Sequence, residues 1–336
     1  MNMRLEIVPF EEEMAPAAAD LLAQRHRRDR AALPILPARF ENAAVAENAV
    51  RAVLARPLAH GAAAVRDGRL VGYMIGDMDL AEIWGRSGWV RLPGCAVAPD
   101  EDVDLVRDLY AALGRRWLDF GCFSHYAVVS PADPALLHAW HSLTFGIQQV
   151  YALRPLDDLD GGNVALPSGV EIRRAKPDDR ALLADFSDII WRHQVQGPVW
   201  GMTLPEDVAE MREGWAELLD EPDWTVWLAF LDGQPVGIQG YHPEAESDDD
   251  MLVGEGCAAL SVAGTREAVR GLGIGQAMTR RGLAALRAEG YRVCLADWRS
   301  TNLLSSRFFP RQGFAPAAYR LNRLIDSHIA WARGSL

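Results

Sequence analysis

The chain has 336 residues, of which 49% are apolar and 24% charged, a composition typical of soluble globular domains. This length exceeds that of most single compact domains and is sufficient for two. The formal net charge of -12 disfavours a general nucleic-acid-binding surface. Since no continuous apolar run approaches about 18 residues, the sequence predicts no membrane span.

The amino-terminal residues and the cysteines both bear on the compartment. Residues 1–13 are acidic and lack the profile of a secretory signal peptide. The cysteines lie in or beside apolar runs without Cys-x-x-Cys spacing, so we expect reduced core residues: Cys95, Cys122, Cys257 and Cys294. The histidines also lack the spacing of metal ligands, and no metal is expected. We expect a cytoplasmic protein.

The sequence repeats itself at a spacing of 165 residues. Three separated matches share this spacing: residues 5–7 with 170–172, 67–72 with 232–237, and 97–98 with 262–263. A period this long indicates two copies of a domain rather than a solenoid. We predict domains over residues 1–156 and 169–336, joined by a polar, turn-rich linker at 157–168.

Both copies show a similar order of predicted elements. In the first copy the patterns predict strands at 5–8, 62–65, 70–75, 89–97 and 126–129, and helices at 15–27, 47–55, 103–118 and 134–143. In the second copy they predict a strand at 170–174, a helix opened by Pro177, an irregular aromatic segment at 191–200, a helix at 205–219, strands at 224–231 and 236–241, and a strand ending at Val262. This order predicts an α/β fold with a mixed sheet and helices on both faces.

A glycine-rich loop follows the strand that ends at Val262. Gly271, Gly273 and Gly275 stand just before an apolar pattern that predicts a helix. Without Cβ atoms the backbone can turn tightly and point free N–H groups outward. Together with the helix dipole, these groups make an anion site whose usual guest is phosphate. Arg270 adds a positive charge at its rim.

The spacing of these glycines excludes two common nucleotide motifs. A dinucleotide fingerprint Gly-x-Gly-x-x-Gly would need glycine where Gln276 or Met278 stands. A P-loop would need lysine directly after Gly275, where Gln276 stands. The pattern present is Arg-x-x-Gly-x-Gly, from Arg270 to Gly275.

This pattern resembles the pyrophosphate-binding motif of the GNAT superfamily of N-acetyltransferases, which bind acetyl-coenzyme A. The following segment is also similar to the family, with a strand at 291–297 and then, in the family's order, Asn302, Ser305, Phe308-Phe309 and Gly313-Phe314. These specific motifs cover about residues 257–314. The resemblance implies two tandem GNAT-like acyl-CoA N-acyltransferase domains of the α/β class with a mixed sheet.

The resemblance also implies that the second copy binds acetyl-coenzyme A. The residues it implies lie on the strand, in the loop and on the next helix: Leu260, Ser261, Val262, Arg270, Gly271, Leu272, Gly273, Ile274, Gly275, Gln276, Asn302, Ser305, Phe308 and Phe309. In the first copy, Asp108 and Tyr110 stand at the positions of Gly273 and Gly275. A carboxylate repels a diphosphate and a side chain blocks close backbone approach, so we expect no working cofactor site there.

The reaction implied by the family is direct attack of a deprotonated amine on the thioester carbonyl, in which positioning supplies much of the rate. A base is needed because an alkyl amine is mostly protonated at neutral pH. Glu255, just ahead of the strand that carries Val262, is the first candidate; His242 and Glu244 are alternatives. We expect acetyl transfer to a primary amine of a small molecule.

Phe309 departs from the family, in which a tyrosine commonly stands at this position and is proposed to protonate the leaving thiolate. Cys294, Ser305, Ser306 or water are the remaining candidates for that role. Two alternatives stay open: a catalytically silent acyl-CoA-binding module, and a transferase that uses another acyl-CoA or a protein amine. The acidic run at 244–250 either attracts a cationic amine or forms a solvated loop. Oligomerisation also stays open.

Overall fold

The computed structural model describes residues 5–80, 85–159 and 166–334. Residues 160–165 of the predicted linker therefore lie outside the described residues. The chain forms two compact units: unit 1 contains residues 1–150, 246–254 and 316–336, and unit 2 contains residues 151–245 and 255–315. The predicted domains follow the sequence repeat, whereas unit 1 also includes two segments of the second repeat.

The described residues of the first repeat form strands and helices in this order: β1 (Leu5–Pro9), α1 (Ala15–Ala32), α2 (Ala43–Leu54), β2 (His60–Arg66), β3 (Arg69–Asp79), β4 (Ser87–Val90), β5 (Cys95–Val97), α3 (Leu105–Asp119), β6 (Ser124–Val129), α4 (Pro134–Ser142) and β7 (Gly146–Pro155). The prediction of one strand over 89–97 is wrong, because a 3-10 turn at Leu92–Gly94 divides it. Pro93 has no N–H to donate and so interrupts the ladder. The sequence did not predict β7.

The second repeat continues this order with β8 (Val170–Arg174), α5 (Arg180–Phe186), α6 (Asp188–Gln194), α7 (Val208–Glu217), β9 (Thr225–Leu231), β10 (Gln234–Pro243), β11 (Cys257–Thr265), α8 (Ile274–Ala288), β12 (Val293–Arg299), α9 (Leu303–Arg311), β13 (Ala315–Leu324) and α10 (Ile329–Gly334). The prediction of an irregular segment from residue 191 is wrong up to residue 194, since these residues end α6. In the part of the chain that the structure describes, none of the helices combines the length and apolarity needed to span a membrane.

Unit 1 contains a sheet in the order β1-β2-β3-β4-β6-β13, with β5 also paired to β3. The pairs are antiparallel except for β4 with β6, which is parallel. Trp117 of α3 is fully buried, and its ring occupies the space where a side chain at Gly88 of β4 would lie. The absence of a Cβ at this strand position thus lets α3 pack closely on the sheet.

Unit 2 contains a sheet in the order β12-β11-β10-β9-β8, in which only β11 and β12 are parallel. Along β10 the side chains alternate between the two faces. Ile238 packs in a cluster with Phe186 and Ile189 of α5 and α6, whereas Gln239 contacts Thr279 of α8. Helices therefore cover both faces of a mixed sheet, which confirms the predicted fold class.

A buried polar network joins β10 to α8. Gln239 donates from Nε2 to Thr279 Oγ1 at 2.8 Å and accepts from the Tyr241 hydroxyl at 2.8 Å. The Thr279 hydroxyl donates to the carbonyl oxygen of Gly275, in the first turn of α8, at 3.0 Å. Burial raises the pKa of Tyr241 well above its ordinary value, so this hydroxyl keeps the proton that it donates. The network fixes the beginning of α8 relative to the strand.

Gly282→Ala should destabilise unit 2, because a methyl group at Gly282 would overlap the hydroxyl of Tyr241, whose ring is held by Gln239. We expect a loss of about 1–3 kcal/mol in the free energy of unfolding, the usual cost of overpacking. Gly214→Ala in α7 is the matched control, since nothing lies within 4 Å of a Cβ there. That variant should be neutral or gain up to about 1 kcal/mol. Equal effects of the two substitutions in urea unfolding would contradict the role of Tyr241.

Two buried histidines of unit 1 should make stability depend on pH. Desolvation by burial lowers the pKa of His26 and of His125 to about 4 in each case, from an unfolded value of about 6.5. Both rings are hydrogen bonded, His26 to Pro37 O at 2.7 Å and His125 to Cys122 O at 3.0 Å. As the pH falls from about 6.5 towards 4, the unfolded chain binds protons that the folded chain does not, so stability is lost.

The loss should approach about 1.4 kcal/mol per pH unit for each of the two histidines within that window. The measurement is the urea midpoint between pH 7 and pH 5, above the range in which most carboxylates titrate. Replacing His125 with Asn should lower the slope by the share of one histidine, about 1.4 kcal/mol per pH unit, whatever it does to the midpoint itself. An unchanged slope in that variant would show that His125 is protonated in the folded protein.

Candidate functional site

The glycine loop of unit 2 has the backbone that its sequence predicts. It joins β11 to α8, and Gly271 and Gly273 have φ values of 84° and 81°, in the left-handed region that favours glycine. A Cβ atom at either position would meet nothing within 4 Å, so the backbone conformation, and not crowding, requires glycine here. The space outside the loop is open to a ligand.

The amino-terminal end of α8 has the electrostatics of an anion site. Gly273 is the N-cap residue, and within the described residues no side chain caps the helix. The first turn has no acidic residue, which leaves the N–H groups and the positive end of the helix dipole towards the open space. Arg270 lies at the rim, with Nη1 3.8 Å from a carboxylate oxygen of Glu267. A phosphate group suits this end of the helix.

Next to the loop, the pairing of β11 with β12 ends on one side, and β11 forms a β-bulge against β10 on the other. The parallel ladder between β11 and β12 ends at Leu260 and Ala296, although β11 continues to Thr265 and β12 to Arg299. On the other side Val262 pairs with Gly240 and Leu260 pairs with Tyr241, so that Ser261 is the extra residue of a β-bulge. The two strands therefore separate at the bulge, and an extended ligand can approach the backbone of β11.

The beginning of α9 lies after the end of β12 and supplies polar groups. Asn302 is the N-cap of α9, and its Oδ1 accepts from the N–H groups of Leu304 and Ser305 at 3.2 Å each. The same oxygen lies 3.2 Å from Nε2 of His193, at the end of α6. Phe308 of α9 lies beside the glycine loop, with its ring 3.7 Å from an ideal Cβ at Gly275. The loop and α9 thus adjoin each other through Phe308.

Phe309 packs in the hydrophobic core. It is buried, and its ring stacks on Trp298 with centroids 5.0 Å apart and an interplanar angle of 12°. Two of the other proposed donors are also occupied or enclosed: the Ser306 hydroxyl donates to Ser300 O at 3.1 Å, and Cys294 is fully buried. Ser305 is half-buried in the first turn of α9. Burial raises the pKa of the Cys294 thiol, which therefore stays protonated and enclosed.

His242 is the candidate base that the structure brings to the bulge. It lies on β10, and its Nε2 is 2.7 Å from Oγ of Ser261. Its Nδ1 is 3.0 Å from the carbonyl oxygen of Pro243 and 3.9 Å from Oε1 of Glu244. The ring of Trp224 lies against the imidazole with centroids 4.6 Å apart. A base, a hydroxyl and a carboxylate therefore stand together where β11 bulges.

Glu255 lies apart from this group. It precedes β11, its side chain is 83% exposed, and its carboxylate is 3.6 Å from Nη1 of Arg292. Seven residues separate it from Val262, which corresponds to roughly 23 Å along an extended strand. The structure thus brings His242, Ser261 and Glu244 together but does not bring Glu255 to them.

The acidic run at 244–250 is divided between the two units. Glu244 stays in unit 2 beside His242, whereas the segment from Glu246 belongs to unit 1. There, Nη2 of Arg39 donates to Ser247 O at 2.6 Å, and Nη1 of Arg56 lies 3.2 Å from a carboxylate oxygen of Asp249. The second part of the run is therefore paired with arginines, which the sequence did not indicate.

Several residues that shape the site were not predicted as such: Trp224, Gln239, Tyr241 and Thr279. Gln239 and Tyr241 carry a signal that was available, because two polar side chains two residues apart on a buried strand face the same way and require partners. Trp224 carries no such signal, since only the fold brings it to the site. Among the residues that the structure describes, no group of three or more His, Cys, Asp or Glu side chains is placed to hold a metal ion.

The equivalent positions of the first repeat hold a different set of residues. Tyr110, at the position of Gly275, donates its hydroxyl to Nδ1 of His125 at 2.7 Å and packs edge-on against Phe145. Asp77, at the position of His242, is buried and bound by Arg91 through two hydrogen bonds of 2.9 and 2.8 Å. Nε of Arg56 lies 3.2 Å from the same carboxylate. Unit 1 thus has a packed aromatic cluster and a closed ion-pair cluster at these two positions.

Part of the sequence is similar to known acetyltransferases. The family model described as Acetyltransferase (GNAT) family matches residues 186–314. Mycothiol acetyltransferase of Streptomyces avermitilis is 29% identical over 193 residues, which cover 54% of this chain and 58% of that protein. Mycothiol acetyltransferase of Rhodococcus erythropolis is 29% identical over 166 residues, 48% of this chain and 52% of that protein. The chain thus spans about half the length of these curated relatives.

Solved structures share the fold over nearly the whole chain. A GCN5-related N-acetyltransferase from Sphaerobacter thermophilus superposes with a TM-score of 0.57 at 17% identity and covers 95% of this chain and 94% of that one. A tandem GNAT protein from the clavulanic acid biosynthesis pathway gives a TM-score of 0.52 at 18% identity, covering 96% of this chain and 98% of that one. At such identities the likeness concerns the fold. The chain has the fold of a tandem GNAT protein, and its residues 186–314 form a domain of the GNAT acetyltransferase family.

Proposed function

We propose that unit 2 is an N-acetyltransferase that moves acetyl from acetyl-coenzyme A to a primary amine of a small molecule by direct attack. The observation that carries this proposal is the separation of β11 from β12 beyond Leu260 and Ala296, next to the uncapped, glycine-led start of α8. An elongated cosubstrate with a diphosphate near its middle fits this combination of an open strand edge and an anion site.

The proposal assigns the following binding roles. The N–H groups at the beginning of α8 and the turn through Gly271 and Gly273 hold the diphosphate, and Arg270 adds attraction at the rim. The edge of β11 around Ser261 and Val262 offers backbone groups to the pantetheine arm and the thioester. Polarisation of the thioester carbonyl by a backbone N–H favours the tetrahedral intermediate.

The reaction needs few groups. The neutral amine attacks the acetyl carbonyl, a C–N bond forms, and the C–S bond breaks to release the coenzyme A thiolate. The amine loses a proton to a base, and we assign this role to His242 because it lies at the bulge while Glu255 does not. Phe309 offers no proton, so solvent protonates the thiolate, which is a stable leaving group near neutral pH.

A small-molecule acceptor is supported by the relatives named mycothiol acetyltransferases. Unit 1, by contrast, is proposed to bind no acyl-coenzyme A. Its equivalent of Gly275 is the buried Tyr110, and the carboxylate of Asp108 lies in the first turn of α3, where it opposes an anion. A single cosubstrate site per chain is therefore expected.

Replacing Gly273 with Asp should abolish binding of acetyl-coenzyme A, because the carboxylate repels the diphosphate at the start of α8. The loss should exceed about 100-fold, equivalent to about 2.7 kcal/mol, and calorimetric titration measures it. Gly290→Asp is the matched control: its φ of 96° and its open surroundings impose the same strain and charge after the other end of α8. We expect one site per chain in the wild type, and Tyr110→Ala should not change its affinity. Normal affinity in the Gly273 variant would refute the assignment of the loop.

Exchange of His242 for Gln should lower kcat by about 100-fold, the usual contribution of a general base, with affinity for acetyl-coenzyme A retained. Glu255→Gln is the companion variant and should leave turnover unchanged, since the Glu255 side chain is exposed and distant from the bulge. Thiol release with a panel of amines, including glucosamine, provides the rate. The reverse pattern would restore Glu255 as the base, and tight binding without any thiol release would establish a silent acyl-coenzyme A module.

A further inference from the structure

The hydrogen bonds of His242 determine which of its nitrogens can accept a proton. The carbonyl oxygen of Pro243, 3.0 Å from Nδ1, can only accept a hydrogen bond, so Nδ1 carries the proton. In the neutral ring Nε2 is then the acceptor. Its partner at 2.7 Å is the hydroxyl of Ser261, which therefore donates to it. The basic nitrogen of His242 is covered by Ser261.

Ser261 itself faces the open side of the site. It is exposed, whereas Leu260 and Val262 on either side are buried. As the bulged residue it has no partner in the register between β10 and β11, and it follows the last residue of β11 that pairs with β12. Its hydroxyl thus lies between the imidazole and the place where the proposed thioester meets β11.

We propose that Ser261 is a catalytic proton relay, through which the attacking amine passes its proton to His242. This inference rests on the proposed acetyl transfer. As the C–N bond forms and the C–S bond breaks, the Ser261 oxygen accepts a proton from the amine while its own proton moves to Nε2 of His242. The imidazolium then returns its proton to solvent, and the released thiolate takes one from solvent. No covalent bond to the enzyme forms.

Neighbouring groups are placed to support this relay. Trp224 lies against one side of the imidazole, with centroids 4.6 Å apart, and restricts rotation of the ring. The carboxylate of Glu244 lies 3.9 Å from Nδ1, on the side of the proton that stays in place. The hydroxyl, the imidazole and the carboxylate are thus successive groups, with the hydroxyl nearest the proposed substrate and the carboxylate farthest from it.

The same arrangement would also activate Ser261 as a nucleophile, and the experiment separates the two roles. Ser261→Ala removes the relay, and Ser261→Thr restores a hydroxyl at the same position. Ser142→Ala, an exposed serine at the end of α4, is the control. Thiol release from acetyl-coenzyme A is measured with glucosamine as the amine and with water alone, because either attacking group must lose a proton. Calorimetry gives the affinity for acetyl-coenzyme A in each variant.

We expect Ser261→Ala to lower kcat by about 10- to 100-fold, a part of the general-base contribution, with unchanged affinity for acetyl-coenzyme A. Ser261→Thr should recover most of the rate. In mixtures of H₂O and D₂O the wild-type rate should depend non-linearly on the deuterium fraction, because two protons move, and the Ala variant should give a straight line. A purely structural role would leave this curvature unchanged.

Three results would overturn the relay. An unchanged kcat in Ser261→Ala would show that the amine reaches His242 without Ser261. An acetylated Ser261, trapped by acid quench and located by mass spectrometry, would establish covalent transfer instead. Bound acetyl-coenzyme A with no thiol release above that in buffer, with any amine of the panel or with water, would remove the proposed transferase and the relay with it. The first two results leave acetyl transfer in place, so the two failures are distinguishable.

Discussion

The candidate site depends on the buried hydrogen bonds that connect β10 with the beginning of α8. Gln239 holds Tyr241 on one side and Thr279 on the other, and Thr279 reaches the carbonyl of Gly275. These bonds are shielded from water, so leaving one of the groups without a partner would carry the full cost of desolvation. An anion site made of backbone N–H groups cannot adapt to its ligand through side-chain rotation. Its position therefore depends on the position of the helix. The hydrogen-bond network fixes the position of the beginning of α8 and so of the loop that precedes it.

The sequence predicted the parts of the site that local chemistry determines. Gly271 and Gly273 adopt the left-handed conformation that their residue type permits, and Asn302 caps α9, as asparagine before a helix commonly does. The sequence did not predict which of Glu255 and His242 reaches the bulge. Glu255 precedes β11 and His242 lies on the neighbouring strand β10, and only the register between the strands distinguishes them. Linear proximity to Val262 favoured Glu255, whereas pairing between strands brought in His242.

The last strand of each repeat also escaped prediction, for a physical reason. β13 completes the sheet of unit 1 through contacts remote in sequence. The alternation of β7 and β13 is weak: Gln148 and Gln149 are adjacent in β7, and Arg320 lies within β13. Buried Arg320 is tolerated because its Nε donates to Gln148 at 2.8 Å and an Nη to Gln149 at 3.3 Å. A pattern based on apolar alternation misses strands whose buried polar groups satisfy each other.

The two repeats differ in the side chains that stand at the positions of the candidate site. At the position where unit 2 has His242, unit 1 has Asp77, whose charge is fully engaged by Arg91 and Arg56. At the position of Gly275 it has Tyr110, whose hydroxyl is engaged by His125. Both substitutions turn an open position into a packed one and add cohesion to unit 1. In unit 2 the equivalent positions are less enclosed: Nε2 of His242 is covered by the Ser261 hydroxyl, and among the described residues no side chain caps the start of α8. The candidate site leaves such groups accessible, whereas core contacts occupy the equivalent positions of the first repeat.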